Sequence, residues 1–183
     1  MTTRDAWLGQ PLPARLDRMA RMADDLTAAI RGHDDTALSR RPDAKNWCAK
    51  EVVCHLRDIE ELVILRFHTM LAMDEPKVFV NAAPPPNLAE WGIGGEVPFP
   101  LDADRWAEER QYARNDTGLA LAAFRRRRTE VRSLLASLSV PQWERGAIHP
   151  TLGRVTFGDW TAGIAAHDDG HLGQLQRALQ GRA

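Results

Sequence analysis

Residues 160–176 read Trp-Thr-Ala-Gly-Ile-Ala-Ala-His-Asp-Asp-Gly-His-Leu-Gly-Gln-Leu-Gln, and this segment contains two histidines, His167 and His171, four positions apart. Side chains with this spacing lie on the same face of an α-helix, so both imidazoles can point to one place. The same face carries the apolar residues Trp160, Ile164, Leu175 and Leu179. Two imidazoles on an apolar stripe indicate either a metal site, which a histidine from another helix would complete, or polar residues that local hydrogen bonds satisfy. The pair alone leaves both interpretations open.

Apolar residues recur at intervals of three and four in three further segments, and this periodicity predicts three more long helices. The first runs from Pro13 to about Gly32, the second from near Cys48 to before Pro76, and the third from about Asp102 to Leu138. Gly118 is the expected site of a break within the third. The run Arg125–Arg128 covers a full helical turn, so we expect a solvated face with some salt bridges to neighbouring residues.

The connections between the predicted helices differ in length. Residues 74–101 carry Pro84–Pro86 and Trp91 and have no helical period, which suits a long crossover between helices that are not hairpin neighbours. A short strand is expected around Arg154–Thr156. The last helix then begins with Thr156 and Asp159 in a capping box and reaches about Gln180. The sequence therefore predicts an all-α fold, a four-helix bundle with one long crossover connection, as a single domain over residues 1–183.

The overall composition excludes several classes of partner. The 183 residues include 24 basic and 25 acidic side chains, giving a net charge of −1, so neither a nucleic acid nor a membrane surface is an expected partner. No apolar run has the length of a membrane span or the pattern of a signal peptide. Cys48 and Cys54 point to different helix faces, so we expect no disulfide and a cytoplasmic location.

A third histidine, His55, lies on the inward face of the second predicted helix, between Val52 and Ile59. If this helix is a neighbour of the last helix, His55 can meet His167 and His171. Three imidazoles with an open fourth position form the pattern of a catalytic metal site. By contrast, we expect His33 and His68 at the surface and His149 in a loop. A fourth ligand, such as His149 or Asp58, would close the site and favour a structural ion.

Two motifs resemble those of the DinB/YfiT-like superfamily. The segment Trp47-Cys-Ala-Lys-Glu-Val-Val-Cys-His55-Leu-Arg-Asp-Ile-Glu is similar to the family's second-helix signature of a Trp, a capping Ser, a Glu and then His-Leu-x-Asp-x-Glu. The tail, with a Thr-capped helix start and His167-Asp-Asp-Gly-His171-Leu-Gly-Gln174, is similar to the closing motif His-x-x-x-His-x-x-Gln. The likeness spans about residues 13 to 180. Cys48 replaces the capping Ser, a departure that does not affect the three histidines.

This resemblance implies a four-helix bundle in which His55, His167 and His171 hold a divalent metal ion. Characterised members of the superfamily include metal-dependent thiol transferases that act with bacillithiol, glutathione or mycothiol, and a mycothiol-dependent maleylpyruvate isomerase. Homodimers are common among them. The resemblance therefore implies a small-molecule substrate, a low-molecular-weight thiol as a candidate cosubstrate, and a possible homodimer. No nucleic-acid role is carried over.

Three functions follow from such a site. Neutral imidazoles bind Zn²⁺, Ni²⁺ and Fe²⁺ alike, so the three histidines do not determine which metal is bound. A coordinated thiol would lose its proton and become a nucleophile, which favours a thiol S-transferase. The alternatives are a metal hydrolase of a small substrate and a non-catalytic metal-binding stress-response module. Asp168 holds the position of the Glu that follows the first His in zinc proteases, and it is shorter and predicted to point off the ligand face, which argues against a protease.

Asp58 and Gln174 are the candidates for orienting the ligands. Asp58 lies close to one turn beyond His55 and could accept an imidazole N–H, or it could form a salt bridge with Arg57 or Arg66. Gln174, one turn after His171, could orient a ligand or form a hydrogen bond across the bundle. Gly163 and Gly170 share a face beside the histidines, and we expect them to permit close helix approach or to leave room for a ligand.

Overall fold

The computed structural model describes residues 3–78 and 103–183. Its long helices are α2 (Leu12–Ile30), α4 (Ala49–Ala72), α6 (Thr117–Ser137) and α8 (Phe157–Leu179). The shorter helices are α1 (Arg4–Leu8), α3 (Asp35–Ser39), α5 (Ala103–Glu109), a 3₁₀ helix (Tyr112–Arg114) and α7 (Val140–Trp143). The predicted crossover over residues 74–101, with Trp91 and the three prolines, lies almost wholly outside the described residues.

The four long helices form a bundle in which α4 packs most extensively on α6, the next long helix, and α2 packs most extensively on α8, the last. Helix α4 packs on α6 and α8, and α2 packs on α8 and α6. The first two long helices, α2 and α4, therefore lie across the bundle from each other. This arrangement confirms the predicted four-helix bundle and places the second and last long helices, which carry the three histidines, side by side. Within the described residues, no helix is long and apolar enough to span a membrane.

A small hairpin precedes α8. Strands β1 (Gly146–His149) and β2 (Gly153–Thr156) pair antiparallel, with Gly146 opposite Thr156. Gly153 has a φ of +69° and so supplies the left-handed residue of the turn. The predicted strand around Arg154–Thr156 is confirmed, and its partner β1 was not predicted. The hairpin leads directly into the capping box of α8, where Asp159 Oδ2 accepts the N–H of Thr156 at 2.9 Å.

The prediction of one third helix from about Asp102 to Leu138 was wrong. The chain instead forms α5, turns through Gln111 with a φ of +51°, and restarts as α6. The break falls before Gly118, because Asp116 caps α6 and its carboxylate accepts the N–H of Leu119 at 2.7 Å. The two short helices α1 and α3 were also not predicted, since five residues are too few to show a helical period.

The core has two apolar clusters with a polar layer between them. Along α4 the first cluster ends at Leu56 and the second begins at Val63. Along α6 the change falls between Phe124 and Val131. Several buried polar side chains lie in these intervals and in the matching part of α8, namely Asp58, Glu60, Arg128 and Asp168, and His55 lies just before the interval on α4. Because burial removes these polar groups from water, each of them needs a specific partner in the middle of the bundle.

Candidate metal centre

The structure brings together the three histidines that the sequence singled out. His55 on α4 and His167 on α8 approach with their Nε2 atoms 3.3 Å apart. The ring of His171 lies 4.6 Å from that of His55 and 4.3 Å from that of His167, measured between centroids. One nitrogen from each of the three residues lies within 4.8 Å of the others. We call these three residues the histidine cluster.

The donor set of the histidine cluster fits a divalent metal ion. Two imidazole nitrogens bound to Zn²⁺ at about 2.0–2.1 Å in a tetrahedral site are about 3.3–3.4 Å apart, and the Nε2 atoms of His55 and His167 have this spacing. The same contact also suits an N–H···N hydrogen bond between the two rings. The other ring nitrogen of His55, Nδ1, is buried and has no hydrogen-bond partner among the described residues. The contacts within the histidine cluster therefore leave one of its ring nitrogens without a hydrogen-bond partner among the described residues.

The imidazoles of the cluster are held in the neutral form that a metal requires. Burial lowers the pKa of His55 to about 3, with a smaller contribution from His171. Burial likewise lowers the pKa of His167 well below 6.5, and it lowers that of His171, although the hydrogen bond to Gln174 opposes this shift. Lone pairs are consequently available at neutral pH.

Gln174 contacts the cluster directly. Its Oε1 lies 2.8 Å from His171 Nδ1. An amide oxygen is an acceptor, so this contact places the proton on Nδ1 and leaves the Nε2 lone pair of His171 for the cluster. Of the two contacts predicted for Gln174, the structure shows the hydrogen bond to His171 on the same helix, and its role in orienting a metal ligand stays a prediction. Trp47 covers the same rings, stacked at 6.5 Å on His171 and lying 4.9 Å from His55.

Asp58 does not have the role of orienting an imidazole. Its carboxylate accepts hydrogen bonds from Arg57 Nε at 2.7 Å and from the Tyr112 hydroxyl at 2.9 Å, and it pairs with Arg110 at 2.8 Å. These donors saturate both oxygens, which corrects the prediction that Asp58 receives an N–H from a ligand. The alternative, a salt bridge with Arg57, is confirmed.

The arginine run on α6 is not uniformly solvated, because Arg128 is only 3% exposed. Its guanidinium donates to both oxygens of Glu60, at 2.8 and 2.9 Å, and to both oxygens of Asp168, at 2.7 and 2.9 Å. We call Glu60, Arg128 and Asp168 the arginine network. The sequence feature that could have indicated this network is the pair of acidic residues on the inward faces of α4 and α8, because a buried carboxylate needs a positively charged partner. Asp168 is thus directed at Arg128 and is not a member of the histidine cluster.

A cavity of about 250 Å³ extends beside His167. Its wall includes Arg66 and Trp160, and a Cβ added to the cavity-lining Gly163 would meet nothing within 4 Å. Space is therefore present beside Gly163, and its use by a ligand stays a prediction. His149, on β1, lies in the same wall, and neither it nor Asp58 joins the cluster, which within residues 3–78 and 103–183 has three members. Neither of the two residues that would have favoured a closed, structural site is therefore a member of the cluster within the part of the chain that the structure describes.

The two cysteines are free and buried, as expected for a chain without a disulfide. Cys48 precedes the first residue of α4, and its N–H donates to Glu51 at 2.9 Å, which is the contact that the glutamate makes in a capping box. Burial raises the pKa of Cys48 to about 11 and that of Cys54 to about 12. Both side chains are therefore thiols at neutral pH and poor nucleophiles.

The fold and the site together define a class of protein, a four-helix bundle with a buried three-histidine cluster beside a cavity. The family model described as the DinB superfamily matches residues 18–175, and the chain belongs to this superfamily. The curated Bacillus subtilis (strain 168) protein "Uncharacterized protein YuaE" is 26% identical over 151 residues, which are 80% of this chain and 86% of YuaE.

The fold is also similar to a solved structure. YfiT from Bacillus subtilis superposes with a TM-score of 0.74 and 19% sequence identity, over 92% of this chain and 86% of YfiT. YfiT is described as "a probable metal-dependent hydrolase with an unusual four-helix bundle topology". At this level of identity, the superposition shows that the two proteins share a fold.

Proposed function

We propose that this protein is a metal-dependent enzyme that holds one divalent ion through His55, His167 and His171 and acts on a small molecule in the adjacent cavity. The observation that carries the proposal is the convergence of three neutral imidazoles, one of which, His167, lies in the wall of a cavity. A structural ion needs a closed shell, whereas a catalytic ion needs a position that a substrate can reach. The cavity beside His167 supplies that access.

Each surrounding residue has a defined task in this proposal. An ion bound there supplies Lewis acidity and lowers the pKa of a water or thiol that reaches it. Gln174 fixes the tautomer of His171, and Trp47 restricts the rotation of two of the three rings. The carboxylates of Glu60 and Asp168 are both held by Arg128, so neither is available as a mobile base.

Hydrolysis is the reaction that we place first, and thiol S-transfer is the second candidate. Hydrolysis is supported by the description of YfiT, a protein of the same fold. Thiol transfer is supported by the resemblance of the Trp47–Glu60 segment and of the closing motif to those of the superfamily, whose characterised members include thiol transferases. A non-catalytic stress-response module is the third candidate, and the cavity at the cluster argues against it. The identity of the metal, the cytoplasmic location and the homodimer stay predictions.

Metal analysis of the purified protein tests the proposed site. We expect about one divalent ion per chain, measured by inductively coupled plasma mass spectrometry, and a loss of at least tenfold in occupancy for His55→Ala, His167→Ala and His171→Ala. His149→Ala is the matched control, because His149 lies in the cavity wall and outside the cluster. Full occupancy in the three cluster variants would refute the site.

A cobalt-substituted protein separates the two reactions. A thiol that binds the ion produces a sulfur-to-metal charge-transfer band, so a band that appears with bacillithiol, glutathione or mycothiol supports transfer. Turnover of small esters or amides that stops on metal removal and returns on reloading supports hydrolysis. A metal-loaded protein with neither property would favour the non-catalytic module.

A further inference from the structure

We propose that the cavity beside His167 binds a small, largely apolar molecule with a carbonyl oxygen, and that His149 Nε2–H donates the hydrogen bond that holds this oxygen. The inference rests on the proposed function and deepens it, because it assigns a substrate class and a further substrate-binding residue to the same site. His149 lies outside the histidine cluster, so its task is separate from holding the ion.

The turn of the hairpin fixes the position of the proton on His149. Its Nδ1 accepts the backbone N–H of Thr151 at 3.1 Å and that of Leu152 at 3.2 Å. A backbone amide can only donate, so Nδ1 carries no proton and the neutral ring holds its proton on Nε2. Burial, followed by the charges of Arg66 and Arg4, lowers the pKa of His149 to about 4. The neutral ring is therefore the form present at pH 7, and its Nε2 is a hydrogen-bond donor.

The donor at Nε2 faces accessible space. In the part of the chain that the structure describes, every hydrogen bond of the His149 side chain falls on Nδ1, including one with the Thr151 hydroxyl at 3.2 Å. The buried side-chain atoms that lack a partner among the described residues include Trp160 Nε1 but not His149 Nε2. His149 is only 4% exposed and lines the cavity. The cavity is therefore the place where the oxygen of a ligand can meet this N–H.

The strand that carries His149 is held along both edges. On one edge β1 pairs with β2. On the other, the Val78 N–H donates to the Ile148 carbonyl at 3.0 Å, and the Ile148 N–H donates to the Pro76 carbonyl at 2.9 Å. The ring of His149 also packs on that of Trp160, with the centroids 6.1 Å apart. The donor consequently has a defined position before a ligand binds, which lowers the entropic cost of the contact.

The carboxylates of the cavity wall are directed to partners other than His149. Glu60 accepts two hydrogen bonds from Arg128. Asp159 accepts the backbone N–H and the hydroxyl of Thr156 in the capping box of α8, at 2.9 and 2.8 Å. Each carboxylate therefore has donors of its own, and the oxygen of a ligand supplies the acceptor for His149 Nε2 that these carboxylates do not.

Most of the remaining wall suits an apolar body of modest size. Apolar side chains from α4, the hairpin and α8 supply most of the lining: Ile59, Leu62, Val63, Leu152, Val155 and Ile164. A volume of about 250 Å³ fits a small molecule and excludes a peptide or a nucleic acid. A carbonyl oxygen accepts one N–H without bringing a charge among these apolar side chains, whose surroundings penalise buried charge.

Binding of acetophenone, compared with α-methylstyrene, tests the proposal. The two compounds have nearly the same shape, and a CH₂ group replaces the carbonyl oxygen in the second. Both are titrated into the full-length, chelator-treated protein, and their dissociation constants are measured by NMR. We expect His149→Asn to raise the ratio of the ketone constant to the alkene constant about three- to tenfold, because a hydrogen bond between neutral groups accounts for about this factor.

Two variants serve as controls for His149→Asn. The asparagine oxygen can still accept the N–H groups of the turn, but its side chain ends before the position of Nε2. In His149→Gln the amide nitrogen can reach that position, so we expect the ratio to return to within about twofold of the parent value. His68→Asn, at an exposed histidine outside the wall of this cavity, should leave the ratio unchanged.

A readout in the unaltered chain keeps the test decisive if His149→Asn folds poorly by circular dichroism. In protein labelled with ¹⁵N-histidine, the ring nitrogens are observed through the ring C–H protons. We expect the His149 ring to carry its proton on Nε2, and the Nε2 signal to shift with acetophenone and not with α-methylstyrene. Gly163→Leu should abolish binding of both compounds, because the new side chain occupies the open space of the cavity beside Gly163.

The outcomes distinguish this inference from the proposed function. A ratio that does not change in His149→Asn, a proton on Nδ1, an equal response of Nε2 to both compounds, or no binding of either compound overturns the inference. Any of these results in a chain that binds one metal ion leaves the proposed function standing. Selectivity for the ketone that depends on His149, in a chain that retains no metal in any preparation, would uphold the inferred contact and refute the proposed function.

Discussion

The histidine cluster and the arginine network share the middle of one bundle, and they differ in how fully their polar atoms are satisfied. In the arginine network, both oxygens of Glu60 and of Asp168 accept hydrogen bonds from Arg128. In the histidine cluster, the rings contact one another, and His55 Nδ1 has no hydrogen-bond partner among the described residues. His167 and Asp168 are adjacent in the chain, so one step along α8 separates the two groups.

This difference indicates two purposes for buried polarity. A buried ion network whose members satisfy one another holds helices in one arrangement, and removal of a member leaves a charge unpaired. A cluster of neutral donors with unsatisfied atoms costs free energy until a ligand completes it. We therefore assign positioning of the helices to the arginine network, and ligand binding by the histidine cluster stays the proposal made above.

Breaking the arginine network should have the largest effect on stability. Arg128→Met leaves the carboxylates of Glu60 and Asp168 buried without their cation, and we expect a loss of about 3–5 kcal/mol in the free energy of unfolding. Denaturant titration followed by circular dichroism measures this loss. Arg126→Met, at an exposed position of the same helix, should change stability by no more than about 0.5 kcal/mol. A loss below about 1 kcal/mol for Arg128→Met would contradict the structural role.

Removing the side chain that holds His171, while all three histidines are kept, should have a smaller effect. We expect this effect on metal affinity. Gln174→Ala removes the acceptor at His171 Nδ1, and we expect metal affinity to fall about 10- to 100-fold, or about 1.4–2.7 kcal/mol. Competition with a chromophoric chelator measures the affinity. Gln176→Ala is the control, since Gln176 is exposed two residues away. Equal affinities in the two variants would remove Gln174 from the site.

Acid should destabilise the metal-free fold in part through His149. Burial lowers its pKa to about 4 from an unfolded value of 6.5, so between these values the unfolded chain binds a proton that the fold does not. Stability is fully present above pH 6.5 and falls as the pH drops, by up to about 1.4 kcal/mol per pH unit for this residue.

The variant His149→Asn isolates this contribution. Its oxygen can replace Nδ1, which accepts the N–H groups of Thr151 at 3.1 Å and Leu152 at 3.2 Å. We expect the variant to show a shallower loss of stability than the parent between pH 6.5 and pH 5, in denaturant titrations of chelator-treated protein. Parallel pH profiles would show that His149 protonates equally in both states.

The smallest expected effect tests whether the space beside Gly163 is open. Gly163→Ala adds a Cβ that meets nothing within 4 Å, so it should stabilise α8 by up to about 1 kcal/mol through helix propensity. Thermal unfolding measures the gain. Gly173→Ala provides a comparison on the same helix, where the added Cβ would lie 3.5 Å from Arg177. A loss of stability in Gly163→Ala would mean that the region is more tightly packed than the structure shows.

The sequence predicted the elements that depend on local periodicity. The starts of the second and last long helices and the capping box of Thr156 and Asp159 are signals carried within a few residues. The third helix was mispredicted because the apolar positions at Trp106 and Leu119 were joined into one helix, whereas the cap at Asp116 and the left-handed Gln111 interrupt the backbone between them. A cap is a local competitor to helix propagation that periodicity does not reveal.

The sequence by itself determined which three histidines lie on inward helix faces, because spacing along a helix fixes which side chains share a face. Only the tertiary structure decided the partners of the charged residues. Arg128 meets Glu60 from 68 positions away and Asp168 from 40, and Asp58 meets Tyr112 from 54. Such contacts depend on how each helix is rotated and placed against its neighbours, and packing of the whole core sets that rotation. The cavity beside His167 has the same origin, since α4, the hairpin and α8 each supply part of its wall.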